Sequence, residues 1–145
     1  MKVQNILATK GSKVHTVLPD LPIREATALM VQHNIGALVI VDAAGALVGI
    51  LSERDIVRAV ARNQDVGEPV SRLMTRTVIA GSLQDDLSAV MRTMTEKRFR
   101  HLPVVDHGQL VGMVSIGDLV KAQLAQYQGE IETLVTQITQ GGSQP

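Results

Sequence analysis

Apolar residues in this chain switch between helical and strand periods, and the order of switching recurs in the second half. Ala26, Leu29, Met30 and His33 stand at i, i+3, i+4 and i+7 after Pro22 and Glu25, which predicts a helix capped by Asp20. Residues 37–41 and 47–51, rich in Val, Ile and Leu on either side of a polar turn, predict a β-hairpin. A helix then starts at Ser52 and runs to about Arg62. Residues 63–68 form a polar linker with Gly67, and Pro69 suits the first turn of a short helix. A helical turn over 3–7 and a short strand over 13–17 precede all of these. The second half repeats the order: strand over 77–80, cap at Ser82, helix to Lys97, hairpin from 102 to 114.

The last helix changes period. Val120, Leu124, Tyr127, Ile131, Leu134 and Ile138 step by 4, 3, 4, 3, 4, which is heptad spacing. Gly129 costs this helix about 1 kcal/mol relative to alanine. An amphipathic helix lying on its own body and a seam for self-association are equally good readings of the stripe. Residues 141–145 are expected to fray.

The recurrence is a true repeat. Gly49-Ile50-Leu51-Ser52-Glu53-Arg54-Asp55-Ile56-Val57 returns 63 positions later as Gly112-Met113-Val114-Ser115-Ile116-Gly117-Asp118-Leu119-Val120, and a fixed period of this kind decides a fold. Upstream, Ile23, Ala26 and Met30 align with Leu87, Val90 and Met94 at an offset of 64. The lost residue falls in the hairpin turn, where length change disturbs no core. Leading segments also match, Val3-Gln4-Asn5-Ile6-Leu7 with Val70-Ser71-Arg72-Leu73-Met74. The chain divides on this basis into a first repeat over 1–67, a second over 68–127 and a C-terminal extension over 128–145. Each repeat alone would be marginal, so the two are expected to share a core and leave two equivalent clefts between them.

Composition removes several functions. Without cysteine there is no disulfide, thiol nucleophile or thiolate metal site. A formal net charge of zero, with one Phe and one Tyr, argues against nucleic-acid binding. Residues 1–11 lack a secretory h-region, and the longest apolar run, 36–51, is broken by Asp42. A cytoplasmic protein with no membrane partner is expected. Among His15, His33, His101 and His107 no i,i+4 ligand pair occurs. Ser52 and Ser115 have no evident base, so neither a metal site nor an enzyme is expected.

Gly-x-x-Ser-x-x-Asp at each hairpin-to-helix junction, with Arg100-His101-Leu102-Pro103-Val104-Val105-Asp106 ahead of Gly112-Met113-Val114-Ser115, resembles the cystathionine-β-synthase (CBS) domain pair over about residues 3–125. The resemblance implies an α+β (α/β) fold of two tandem β-α-β-β-α repeats packed with pseudo-twofold symmetry, with a long C-terminal helix added. It also implies a regulatory module with no chemistry of its own. An adenosyl ligand such as AMP, ADP, ATP, NAD or S-adenosylmethionine would bind in one or both clefts, and two copies would dimerise as a flat disk. No cofactor is required, and occupancy would be read by an unidentified downstream protein.

Ser-x-x-Asp is first of all a capping box, with its acid at the positive end of a helix. Its duplication after an apolar strand favours a site, because a carboxylate there can accept both hydroxyls of a ribose. Asp55 and Asp118 are the ribose candidates, supported by Ser52 and Ser115. Phosphate then needs charge from elsewhere: Arg54, Arg98, Arg100 and His101, with Lys97 beside them, since guanidinium binds phosphate bidentately. The competing reading of the 96–100 run is a solvated helix end. Adenine has no aromatic side chain to stack on and is expected between aliphatic side chains and backbone groups. Val14, Gly36, Ala37, Leu38 and Ile50 are the positions in one copy; Val78, Leu102, Pro103 and Met113 are those in the other. Most could equally be core. The copies differ, because Arg54 stands beside Asp55 whereas Ile116 and Gly117 precede Asp118. The alternative function is a ligand-free interaction or dimerisation module acting through the C-terminal helix.

Overall fold

A computed structural model describes residues 1–142. The elements in order are α1 (Val3–Lys10), β1 (Thr16–Val17), α2 (Ile23–His33), β2 (Ala37–Val41), β3 (Leu47–Ser52), α3 (Glu53–Ala61), a 3-10 turn at Val70–Arg72, α4 (Leu87–Lys97), β4 (His101–Asp106), β5 (Gln109–Ser115) and α5 (Ile116–Gly142). β1 lies parallel to β2, and β2 pairs antiparallel with β3. β4 and β5 form the matching antiparallel hairpin. Registers agree between copies: Leu38 faces Leu51 as Leu102 faces Val114, and each ladder slips at the same place, Ile40/Val41 and Val104/Val105.

The first strand of the second copy does not form as expected. Residues 77–80 join no ladder, and only Gly81 touches the hairpin, through a parallel bridge to Val104. The cause lies just upstream, where Thr75 pairs with Ile50 of the first repeat through N–H···O bonds of 2.9 and 3.1 Å. Residues 75–79 are thereby held on the first repeat's side and become a wall between the copies. In the first copy the strand expected over 13–17 is reduced to Thr16–Val17.

Core membership does not follow chain order. α1 places Val3, Ile6 and Leu7 in the core of the second repeat, with Leu87, Val90, Met94, Leu102, Val104, Val114 and Leu119. Val70 and Met74 enter the first repeat's core with Ile23, Ala26, Met30, Leu38, Ile40 and Leu51. Each leading segment therefore completes the other repeat, and burial of a Leu or Ile side chain contributes about 1.5–3 kcal/mol. The exchange explains the motif glycines: a Cβ at Gly49 would stand 2.5 Å from Met74 Sδ, and one at Gly112 2.8 Å from the Leu7 methyls. It also explains why the expected caps are idle. Asp20 does not cap α2, because its first amides, Ile23 and Arg24, donate to Glu68 and Val66 carbonyls at 2.8 Å. Ser82 does not cap α4 either; Asp86 stands at that position and makes no cap bond to the helix backbone, its Oδ2 accepting from Ser88 Oγ at 3.1 Å, and Leu87 N–H donates to Met1 O at 2.9 Å.

His33, expected on the core face of α2, is exposed and stacks on His15 with ring centroids 4.1 Å apart. α5 leaves the body as one continuous helix of 27 residues, about 40 Å long at 1.5 Å per residue. It extends through Gly142, so 141 and 142 of the expected tail are helical; the remainder, 143–145, lies outside the described residues. No helix among the described residues is long and apolar enough to cross a membrane.

Candidate functional site

The two repeats enclose a cleft of about 730 Å³, a volume typical of small-molecule sites. Its first wall is the junction of β3 and α3, with Ile50, Ser52, Asp55 and the α3 side chains Arg54, Val57 and Arg58. The rest of the lining belongs to the second repeat: Thr75, Thr77, Val78 and Ile79, a stretch paired onto β3 at Thr75, and the turn from α4 to β4 carrying Lys97, Arg98, Phe99, Arg100 and His101. Gly36 closes the junction. A Cβ there would stand 3.1 Å from Glu53 Oε1 and 3.3 Å from His101 Cε1.

Asp55 is held by a reciprocal cap. Its Oδ2 accepts from Ser52 N–H at 2.8 Å and Ser52 Oγ at 3.0 Å, while Asp55 N–H donates to Ser52 Oγ at 3.4 Å. The sequence therefore delivers its capping box, and the cap uses one oxygen. Oδ1 has no hydrogen-bond partner among the described residues, which leaves a fixed acceptor at the cleft. A carboxylate oxygen in that state can accept hydroxyl groups of a polyol.

Basic side chains dominate the electrostatics. Arg54, Arg58, Lys97, Arg98 and Arg100 line the cleft, and among the described residues none lies within 4.0 Å of a carboxylate. Glu53 and Asp55 are the acids of the lining. Five unpaired cations around one concavity give it a positive potential, and guanidinium groups suit phosphate oxygens. Arg98 is in addition backbone-strained, at φ 59° and ψ 45° as the C-cap of α4. Half-buried His101 stands where the repeats meet. Burial lowers its pKa below the usual 6.5, Glu53 and Asp118 pull it up, and Lys10 and Arg100 push it down, with a net lowering.

The second junction has the same cap and a different neighbour. Ser115 N–H donates to Asp118 Oδ2 at 2.8 Å, and Asp118 N–H donates to Ser115 Oγ at 3.1 Å. Lys10, from the end of α1, donates to the same Oδ2 at 2.7 Å and to Met113 O at 2.9 Å. Burial would raise the Asp118 pKa, but the Lys10 ammonium and the Ser115 donors outweigh it and hold the carboxyl below its usual range. Lys10 takes over the role that Thr75 plays in the first copy, satisfying the strand carbonyl at the junction.

Of the residues singled out in the sequence, Ser52, Arg54, Asp55, Arg98, Arg100, His101, Gly36, Ile50 and Val78 line the cleft together. Asp118, Ser115 and Met113 sit at the second junction with Lys10. Ala37, Leu38 and Pro103 are wholly buried in the hairpins and offer no surface to a ligand. Leu102 is also buried and lines a smaller cavity of about 280 Å³ behind Phe99. Val14 is half-buried, outside both cavities. Sequence reasoning missed Phe99, Arg58, Thr75, Thr77 and Ile79. Phe99 also corrects the expectation that the site holds no aromatic side chain. Its position between Arg98 and Arg100 was the available signal.

The CBS domain model matches this chain twice, over residues 4–62 and 70–125. A CBS-domain containing protein of Agrobacterium tumefaciens has a solved structure at TM-score 0.81 and 43% identity, covering 84% of this chain and 92% of that one. A CBS domain-containing protein of Bacillus subtilis is 37% identical over 85% of this chain and 88% of its own length. A CBS domain protein of Pyrobaculum aerophilum, solved in complex with AMP, matches at TM-score 0.75 and 26% identity over 81% of this chain and 89% of that one. With two family matches laid over the two repeats and the same fold in these relatives, the chain belongs to the CBS domain family and carries the domain in tandem.

Proposed function

We propose that this protein is a regulatory module that binds an adenine nucleotide in the cleft between its repeats and transmits occupancy by a change in their relative orientation. The observation that carries the reading is the pairing, in one cleft, of the capped Asp55 carboxylate with five unpaired cations. Asp55 Oδ1 would take the ribose hydroxyls, Arg98 and Arg100 with Arg54 or Arg58 the phosphate, and Ile50, Val78, Ile79 and Phe99 the base. Support comes from relatives whose CBS pairs hold AMP, or 5′-methylthioadenosine with S-adenosylmethionine. An anionic ligand fits this lining better than an uncharged nucleoside, so AMP, ADP, ATP and NAD rank ahead of S-adenosylmethionine.

Transmission follows from the construction of the walls. Asp55 belongs to one repeat and the Arg98–His101 turn to the other, so a bridging ligand favours one orientation by its differential affinity, and by no more. Ser52 serves as a cap, its Oγ engaged with Asp55 on both sides, which fits a sensor. The second junction, Asp118 with Ser115, is a weaker site because Lys10 already engages its carboxylate. The protein works in the cytoplasm as a homodimer and signals to a downstream protein. Association through α5 is a second reading, favoured by the exposed stripe of that helix, and is compatible with the first.

The test is a thermal-shift and calorimetric screen of AMP, ADP, ATP, NAD and S-adenosylmethionine, repeated on Asp55→Ala. A ligand at 100 times its dissociation constant stabilises a fold by about 2.7 kcal/mol. Stabilisation by a nucleotide that Asp55→Ala loses supports the sensor. No stabilisation by any of the five removes it.

A further inference from the structure

The family match ends at residue 125, whereas α5 continues to Gly142. Among the described residues, nothing covers this added half from Tyr127 to Gln140. From Tyr127 to Gln140 every residue is exposed. Val120, Leu124, Tyr127, Ile131, Leu134 and Ile138 remain 43% to 73% exposed along one stripe, with Val135 beside it. The reading in which the helix lies on its own body therefore fails beyond its first turns. A solitary solvated helix would be polar all round, and an apolar stripe of this length marks an interaction surface.

We infer that α5 pairs with α5 of a second copy as a short parallel two-stranded coiled coil, an association independent of ligand. The heptad places Leu124, Ile131 and Ile138 at a and Val120, Tyr127 and Leu134 at d. A seam of this kind is complementary to itself, and β-branched residues at a with Leu at d, as in Ile131, Leu134 and Ile138, select two strands. The exposed fractions of the seven side chains leave at most roughly 700 Å² to bury per copy, on the small side of the ~800 Å² per partner of a standard interface. Gly129 falls at f, away from the seam, so its cost is to helix propensity and not to the contact.

Charge selects the direction. The flanking positions carry Gln123, Glu130 and Gln137 at g and Lys121, Gln128 and Val135 at e. In the parallel arrangement g faces e of the second strand, so Glu130 meets the partner's Val135 and no like charges oppose each other. In the antiparallel arrangement that matches Leu124 with the partner's Leu134, the two copies of Glu130 face each other across the centre. Like-charge opposition disfavours that pairing.

The chain has no cysteine, so the full protein can be tested by introduced thiols under mild oxidation. Leu134→Cys should cross-link to itself at least tenfold faster than Thr133→Cys, one residue off the seam. Ile131→Asp on the Leu134→Cys background should slow that cross-linking at least tenfold, with a matching loss of dimer in sedimentation velocity. Both positions are exposed, so unchanged circular dichroism is expected and confirms the fold. Equal rates for Leu134→Cys and Thr133→Cys, or no effect of Ile131→Asp, overturn the pairing. Preferential cross-linking of Leu124→Cys with Leu134→Cys overturns the parallel direction. None of these results depends on nucleotide, so failure here leaves the cleft reading intact.

Discussion

Replacing Arg98 with glycine should make the protein more stable and a poorer nucleotide binder. Arg98 ends α4 at φ 59°, in the left-handed region where a side chain with a Cβ costs about 1–2 kcal/mol. Glycine at such a helix end is the common solution, but its freedom in the unfolded chain takes back about 0.5–1 kcal/mol. The net gain is about 0.5–1 kcal/mol, or roughly 2–3 °C in melting temperature for a chain of this size. Against this stands the loss of a guanidinium from the cleft. A hydrogen bond to a charged group contributes about 1.5–3 kcal/mol, so AMP affinity should fall about tenfold to hundredfold. Arg98→Asn is the natural companion, because Asn34 holds the same left-handed position in the first repeat at φ 52°. It should lose the same affinity with smaller change in stability. Melting curves without ligand and calorimetric titration with AMP give both numbers. A lower melting temperature for Arg98→Gly refutes the strain argument, and undiminished AMP affinity refutes the role of Arg98 in the cleft.

Other substitutions test the remaining parts of the structure. Gly49→Ala should destabilise by about 1–3 kcal/mol through overpacking against Met74, and the companion Met74→Ala should relieve part of that loss in chemical denaturation. The His101 pKa is lowered in the folded chain, chiefly by burial, so the unfolded chain binds more protons around and below about pH 6.5. Stability therefore falls as pH drops from 7.5 to 5.5, and His101→Gln should reduce that slope in urea titrations. It will not abolish it, since His15, desolvated and close to His33 and Lys13, is shifted the same way. Asp118 has a lowered pKa, so its contribution is present above about pH 4 and is lost as pH falls through the folded value. Lys10→Met should cost at most about 1 kcal/mol at pH 7, the pair being partly exposed, and should raise the Asp118 pKa in an NMR titration.

What the sequence made legible was local. The hairpins, the capped junctions and the period of α5 depend on residues within a few positions of one another, and the Ser52–Asp55 and Ser115–Asp118 boxes form as their spacing requires. What it concealed depends on exchange between the halves. Ser82 and Asp20 read as caps, but carbonyls of the opposite leading segment reach the helix amides first. The Thr77–Ala80 stretch has strand composition, yet Thr75 is bonded to Ile50 of the other repeat and the ladder never starts.

That exchange also helps to explain why the two junctions differ although the motif is duplicated. The leading helix runs eight residues in one copy, Val3–Lys10, and three in the other, Val70–Arg72. In the short version the chain turns out early and Thr75 bonds to the strand edge through its backbone, leaving Asp55 Oδ1 open at the cleft. In the long version the backbone is still helical at that point, and the Lys10 side chain must satisfy Met113 O instead, bringing its ammonium onto Asp118. The longer helix thus places an ion pair on Asp118, where the first junction leaves a carboxylate oxygen of Asp55 open. A chain in which α1 ended at Leu7 would be expected to free the Asp118 carboxylate from Lys10, so helix length adds to the difference already present in the motifs, where Arg54 has no counterpart beside Asp118.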